Sequence, residues 1–281
     1  MAIRVRRSDG TTDFGYYASI ARISVHPVVT SWLAAGASAG NTTLTAISSF
    51  FYGLDTDGIT YGSSGKIKRL NLFCGSSLTD CLIPQVTSIG TTTDTNSGGT
   101  AFVSGNYTEA TGLTRPSGTG SGGNKWLNTG VLDSTLSNSD VSCGAYIRVD
   151  NTTDLSNGLW IGAANRFFLG HTGGANLGLY NPQQGYLNET VGGRVGFYVA
   201  TMEAGGVSKI YRNGTQDNTV TGAAYTGSNA VNVGIFGNAT GYNQATGICG
   251  GYYIGLALTA TQISNLYARI QAFQTSLGRQ V

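Results

Sequence analysis

Three observations predict a mainly β protein, a sandwich or jelly roll with a helix toward each end. From Lys125 onward short apolar runs recur, separated by turn signals and by no helical pattern. Lys209-Ile210-Tyr211-Arg212 runs into Asn213-Gly214, the strongest short-range hairpin signal a sequence carries. Glycine supplies 43 of 281 residues, while charged residues are 11%, against about a quarter in ordinary soluble proteins. Hydrophobic residues still reach 40%, with 15 tyrosines, so the chain can bury enough surface to offset its ordering entropy.

In chain order, residues 1–30 alternate loosely (Ile20, Arg22, Val25, Val28) and read as an extended arm with one or two strands. Arg4, Arg6 and Arg7 alternate with Ile3 and Val5, as on the solvated face of an edge strand; an arm docking on an acidic partner is the sharper alternative. Leu44, Ile47, Phe50, Phe51 and Leu54 recur at helical spacing, with caps on offer at Asn41, Thr42 and Thr43 and a stop at Gly58, predicting a helix over 43–55. Residues 1–65 are therefore read as an N-terminal arm and helix, an attachment or packing element, and 66–281 as the sandwich domain. Lys66–Phe73 is a strand. The Thr-, Ser-, Gly- and Asn-rich stretch Thr87–Asn124, anchored by Phe102, Tyr107 and Leu113, reads as a long ordered loop over a sandwich face.

Strands follow at Lys125–Asn128, Ser142–Val149, Gly158–Ile161, Arg166–Leu169, Leu177–Tyr180, Arg194–Thr201, Ser208–Tyr211, Val231–Phe236 and Tyr252–Leu258. Turns at Asn157-Gly158, Gly173-Gly174, Asn181-Pro182, Gly192-Gly193 and Gly205-Gly206 separate them. No fixed-period repeat points to a propeller or solenoid. Thr259 with Gln262 makes a capping box, after which Ile263, Leu266, Tyr267, Ile270, Phe273 and Leu277 share one helix face and Gly278 ends it.

A net charge of +2 gives no reason to expect nucleic acid or an anionic membrane as partner. Met1-Ala2-Ile3-Arg4 lacks the apolar core of a signal peptide, and no window approaches the roughly eighteen apolar residues of a membrane span. The expectation is synthesis in a cytoplasm without Sec-type export. Cys74, Cys81, Cys143 and Cys249 form no Cys-x-x-Cys pair and read as buried free thiols, with a Cys74–Cys81 bridge as the alternative.

The order Tyr211-Arg212-Asn213-Gly214-Thr215, then Gly255-Leu256-Ala257-Leu258-Thr259-Ala260-Thr261-Gln262-Ile263 and Leu266-Tyr267, resembles the concanavalin A-like, laminin-G-like jelly roll. Leu70-Asn71-Leu72-Phe73-Cys74-Gly75, Thr93-Asp94-Thr95-Asn96 and Lys125-Trp126-Leu127-Asn128-Thr129-Gly130 resemble bacteriophage and prophage structural proteins that carry this fold. The likeness covers about residues 66–281. It implies a concanavalin A-like jelly-roll β-sandwich with an N-terminal arm and helix and a C-terminal helix. It leaves function open, because the superfamily holds lectins, glycosidases and structural modules.

The superfamily's hydrolases carry a Glu-x-Asp-x-Glu strand, and a retaining mechanism needs two carboxyl groups about 5 Å apart. Here Glu109, Glu189 and Glu203 are isolated, and Asp55/Asp57 and Asp150/Asp154 sit in turn contexts. His26 and His171 are the only histidines and lie in no Gly-x-Ser-x-Gly-like motif, so nucleophilic catalysis and zinc both lack their residues. Relatives hold Ca²⁺ with loop Asp and Asn, and Asp133, Asp140, Asp150, Asn151 and Asp154 cluster in sequence; solvated turn residues are the favoured reading. Trp160, Tyr180, Tyr186, Tyr225 and Tyr242 are candidate sugar-stacking platforms, although such residues in strands more often pack in the core.

The reading is of a protein with no catalytic residue, no metal site and no cofactor. It would be a bacteriophage virion component, assembled in the host cytoplasm, displaying a lectin-like jelly roll as a capsid decoration or a tail or fibre part. Its partners would be other virion proteins and copies of itself. The alternative is a carbohydrate-binding module for host surface glycans, and behind it a polysaccharide hydrolase.

Overall fold

The computed structural model describes residues 25–116, 125–152, 158–163, 167–171, 177–181, 185–188, 193–222, 230–237 and 245–281. Two helices come first, α1 (Pro27–Ala34) and α2 (Asn41–Thr56). Next are β1 (Ile67–Asn71), the single-turn α3 (Leu78–Cys81), β2 (Val86–Thr87), β3 (Thr95–Ser97), β4 (Tyr107–Thr108) and β5 (Gly112–Arg115). The sandwich continues with β6 (Trp126–Leu132), β7 (Val141–Asp150), β8 (Leu159–Ala163), β9 (Phe167–His171), β10 (Leu177–Asn181) and β11 (Gly185–Asn188). It closes with β12 (Gly196–Glu203), β13 (Val207–Arg212), β14 (Thr215–Thr221), β15 (Asn232–Ile235), β16 (Gly247–Gly255) and α4 (Ala260–Ser276).

Two antiparallel sheets face one another. The larger has nine described strands in the order β14-β13-β12-β7-β16-β1-β2, with β5 on β16 and β4 on β5. The smaller has seven, in the order β11-β10-β9-β8-β15-β6-β3. One core fills the space between them, with Leu127, Trp160, Ile161, Leu169 and Ile235 meeting Tyr198, Ala200, Met202 and Ile254. A second core lies on the other face of the larger sheet, where Trp32, Ile47, Phe50, Phe51, Leu266 and Phe273 cover Phe197, Val199 and Tyr253. Alternate residues of β12 thus serve different cores, as the two-residue period of a strand requires. The fold has three layers: helices, sheet, sheet.

The local signals work as chemistry dictates. Asn213 (φ 48°) and Gly214 (φ 79°) both take positive φ, the requirement of a type I′ turn, and Arg212 pairs with Thr215 across it. Thr259 Oγ1 accepts the Gln262 N–H at 3.2 Å, and Gln262 Oε1 accepts the Thr259 N–H at 3.1 Å. Gly278 follows the helix with φ 66°. All four cysteines are buried free thiols, so there is no Cys74–Cys81 bridge.

Several elements differ from the sequence reading. Pro27–Ala34 is helix and not extended arm: Pro27 occupies its first turn, and His26 Nδ1 caps it by accepting the Val28 N–H at 3.1 Å. Residues 1–24, with Arg4, Arg6 and Arg7, lie outside the described residues. The supposed loop from Thr87 contributes β3, β4 and β5, short strands that join both sheets, with Tyr107 and Leu113 in the core between them. The last strand runs Gly247–Gly255 and not Tyr252–Leu258, because its glycines hide its pattern. At Gly251 (φ 153°) a Cβ would meet the Asn71 carbonyl oxygen at 2.8 Å, so close strand approach demands the glycine. The hairpin partner implied by Asn213-Gly214 is β14, while β11 has no counterpart among the strands read from the sequence.

A polar cluster ties the sheets together. Arg69 of β1 and Asp94, just before β3, are fully buried and 2.7 Å apart. Tyr252 OH donates to Asp94 Oδ1 at 2.6 Å and accepts from Arg69 Nε at 2.8 Å, while Asn71 Nδ2 donates to Asp94 Oδ2 at 2.8 Å. Arg69 also donates to the carbonyls of Ile89 and Thr91, so the buried charges are fully engaged.

Candidate functional site

Sheet register brings four distant segments to one end of the sandwich. Glu203 ends β12 opposite the start of β7 (Met202 faces Val141), and β16 ends at Gly255 opposite both Ser142 of β7 and Ile67 of β1. Lys66, Ser139, Asp140, Glu203, Lys209 and Thr259 consequently line one open groove of about 560 Å³. Ala204, Ala257, Leu258 and Ala260 complete the lining.

The groove holds two cation–carboxylate pairs. Lys209 Nζ lies 2.7 Å from Glu203 Oε2, and Lys66 Nζ lies 4.0 Å from Asp140 Oδ1. Glu203 Oε1 also accepts from Thr201 Oγ1 at 3.4 Å, and Asp140 Oδ1 accepts the Ala257 N–H at 2.8 Å. These second bonds fix the carboxylates while leaving them partly exposed, at 29% and 45%. The Glu203 hydrogen bond holds the Lys209 ammonium above its ordinary pKa, against the opposing pull of desolvation. Each pair sets an acceptor-only group beside a donor-only group.

The other sequence candidates are occupied elsewhere. His171 and Asp150 are fully buried, with Nε2 2.7 Å from Oδ2, and they link β9 of the smaller sheet to β7 of the larger. His171 Nδ1 has no hydrogen-bond partner. His26 is buried with Nε2 3.0 Å from Asp55 Oδ2, and Tyr61 OH donates to Asp55 Oδ1 at 2.8 Å. Burial, then the Asp55 carboxylate, pushes the Tyr61 hydroxyl well above its ordinary pKa. Asp57 is held by Arg269 through bonds of 2.8 and 2.9 Å, and Glu109 by Thr43 Oγ1 at 2.7 Å.

Of the residues considered for calcium, Asp133 is buried beside β6, Asp140 lies in the groove and Asp150 is taken by His171. Asp154, like Glu189, lies outside the described residues. Among the described residues no three His, Cys, Asp or Glu side chains converge as metal ligands. Trp160 is no platform: it is fully buried, its ring 5.4 Å from that of Phe236. The side chains of Tyr180 and Tyr186, and all of Tyr225 and Tyr242, lie outside the described residues. The sequence reading singled out Asp140 and Glu203 separately, but neither Lys66 nor Lys209. Only strand register brings the four together.

No protein-family profile and no curated protein sequence matches the chain. Among solved structures, a mutant of Trypanosoma rangeli sialidase displaying trans-sialidase activity superposes with a TM-score of 0.51 at 11% identity. That match covers 84% of this chain and 40% of the sialidase, so the chain spans well under half of that protein. Domain 4 of an extracellular arabinanase from Geobacillus stearothermophilus, in complex with arabinotriose, gives a TM-score of 0.44 at 17% identity, covering 72% of this chain and 98% of that domain. A botulinum neurotoxin type C structure gives 0.36 at 15% identity, covering 52% of this chain and 40% of the other. The sialidase match places the chain among mainly β proteins built as an antiparallel sandwich, an architecture compatible with the concanavalin A-like jelly roll.

Proposed function

We propose that this chain is a non-catalytic component of a bacteriophage particle, displaying a lectin-like sandwich that recognises host surface glycans through the groove at Lys66, Asp140, Glu203 and Lys209. The observation that carries the reading is the pairing of both groove carboxylates with ammonium groups. A glycosidase needs one carboxyl that keeps a proton to donate, and apolar surroundings supply that condition. An ammonium beside each carboxylate instead makes a fixed frame of hydrogen-bond donors and acceptors, suited to holding a polyhydroxylated ligand. The particle setting is supported by the motifs around Leu70–Gly75, Thr93–Asn96 and Lys125–Gly130, which resemble phage structural proteins.

The test is a pull-down on host envelope polysaccharide, with mass spectrometry of purified particles for copy number. Saturable binding that is weakened in Glu203→Gln and in Lys209→Met is the expected result. Stoichiometric recovery in particles without any glycan binding would replace recognition by a purely scaffolding role. Release of new reducing ends from the bound polysaccharide would overturn the non-catalytic assignment.

A further inference from the structure

Resting on that reading, we infer that the groove selects an uncharged sugar, gripped along its edge through vicinal hydroxyl groups. A carboxylate only accepts hydrogen bonds and an ammonium only donates them. Each groove pair places one beside the other, with Nζ to O separations of 2.7 Å at Lys209–Glu203 and 4.0 Å at Lys66–Asp140. Two neighbouring ring hydroxyls are the complement: one donates to the carboxylate while the next accepts from the ammonium. A lone hydroxyl satisfies only half of such a pair.

The charges exclude the obvious competitor. Among the described lining residues two lysines balance two carboxylates, leaving no net charge with which to attract an acidic sugar. An incoming carboxylate would face Asp140 and Glu203, and like charges in contact are unfavourable. Among the described lining residues there is no aromatic ring on which a sugar face could stack. The binding energy must then come from hydroxyl groups at the ring edge. A groove of about 560 Å³ has the size of a small-molecule site, which typically measures roughly 300–1,000 Å³.

The experiment is ligand-observed NMR titration of the full chain with methyl α-mannoside, methyl β-galactoside, their 2,3-di-O-methyl derivatives, glucuronate and N-acetylneuraminate. Saturable binding of a neutral hexoside is expected, insensitive to ionic strength and lost on methylation of the diol. Glu203→Gln and Asp140→Asn keep the shape and should weaken it about tenfold each, the scale of one hydrogen bond to a charged group. Thermal melts of both variants distinguish loss of contact from loss of fold. Preference for the acidic sugars, or affinity that falls steeply with salt, overturns this inference and leaves glycan recognition standing. Equal binding of the methylated derivatives overturns it too. Failure of every sugar, together with no retention on host polysaccharide, overturns the glycan reading itself.

Discussion

At the scale of single residues, the most consequential contact is Arg69–Asp94, fully buried and bound on every side by Tyr252, Asn71 and backbone carbonyls. Taking two charges out of water is expensive, and removing one partner strands the other. Asp94→Leu or Arg69→Met alone should each cost about 3–5 kcal/mol in urea unfolding. The double variant should cost less than the sum, because it leaves no orphaned charge. The thiols give a second check. Burial pushes Cys74 and Cys249 up to about 12, and it also raises Cys143 and Cys81 well above the ordinary thiol value. The folded protein should therefore be inert to a thiolate-directed reagent at pH 8, and denaturation should release four reactive equivalents.

Asp57 sets a pH dependence. Its hydrogen bonds to Arg269 lower its pKa in the folded state, despite the opposing effect of burial. A depressed carboxyl contributes stability that is present above the unfolded value of about 3.9 and is lost as pH falls through the folded value. Asp57→Asn should lose stability at pH 6, and its deficit relative to the parent should shrink below pH 4. Chemical denaturation at the two pH values measures this.

Among elements, the hairpin and the last helix were legible because short-range chemistry specifies them. Gly214 holds φ 79° against α4, where a Cβ would come 3.1 Å from Ser264 Cα and 3.1 Å from the Tyr267 ring. Gly214→Ala should therefore destabilise by about 1–2 kcal/mol, from left-handed strain before any repacking. Thr259→Ala removes one side of the capping box and should cost about 1 kcal/mol. Thermal melts of each variant test both figures. Elements whose order comes from neighbours were not legible. Thr215–Thr221 has a single apolar residue, Val220, so its own pattern is silent and only the Asn213-Gly214 turn before it marks the strand that pairs with β13. α1 was misread because its cap is a histidine ring, outside the usual Ser, Thr, Asp and Asn set. The groove was illegible because its four charges are scattered from Lys66 to Lys209 and meet only through register.

At the scale of the molecule, the larger sheet is shared by both cores. Phe197 and Val199 face the helices while Tyr198 and Ala200 face the smaller sheet, so neither core can be lost without exposing β12. Arg279 adds a clamp from the chain's end, donating to the carbonyls of Leu72, Phe73, Glu109 and Gly250 and to Gln274 Oε1. Helix and sheet signals in circular dichroism should consequently vanish in one transition, with coincident midpoints by tyrosine fluorescence.

The position of β16 has a consequence for synthesis. It lies between β7 and β1, pairing with β7 along one side and with β5 and β1 along the other, yet it is the last of the described strands to be translated. While residues 247–255 remain in the ribosome, β7 and β1 each present an open edge beside apolar side chains. Such edges are the surfaces on which nascent chains aggregate. The sheet closes only after its centre emerges, so the yield should depend on chaperones that hold nascent chains.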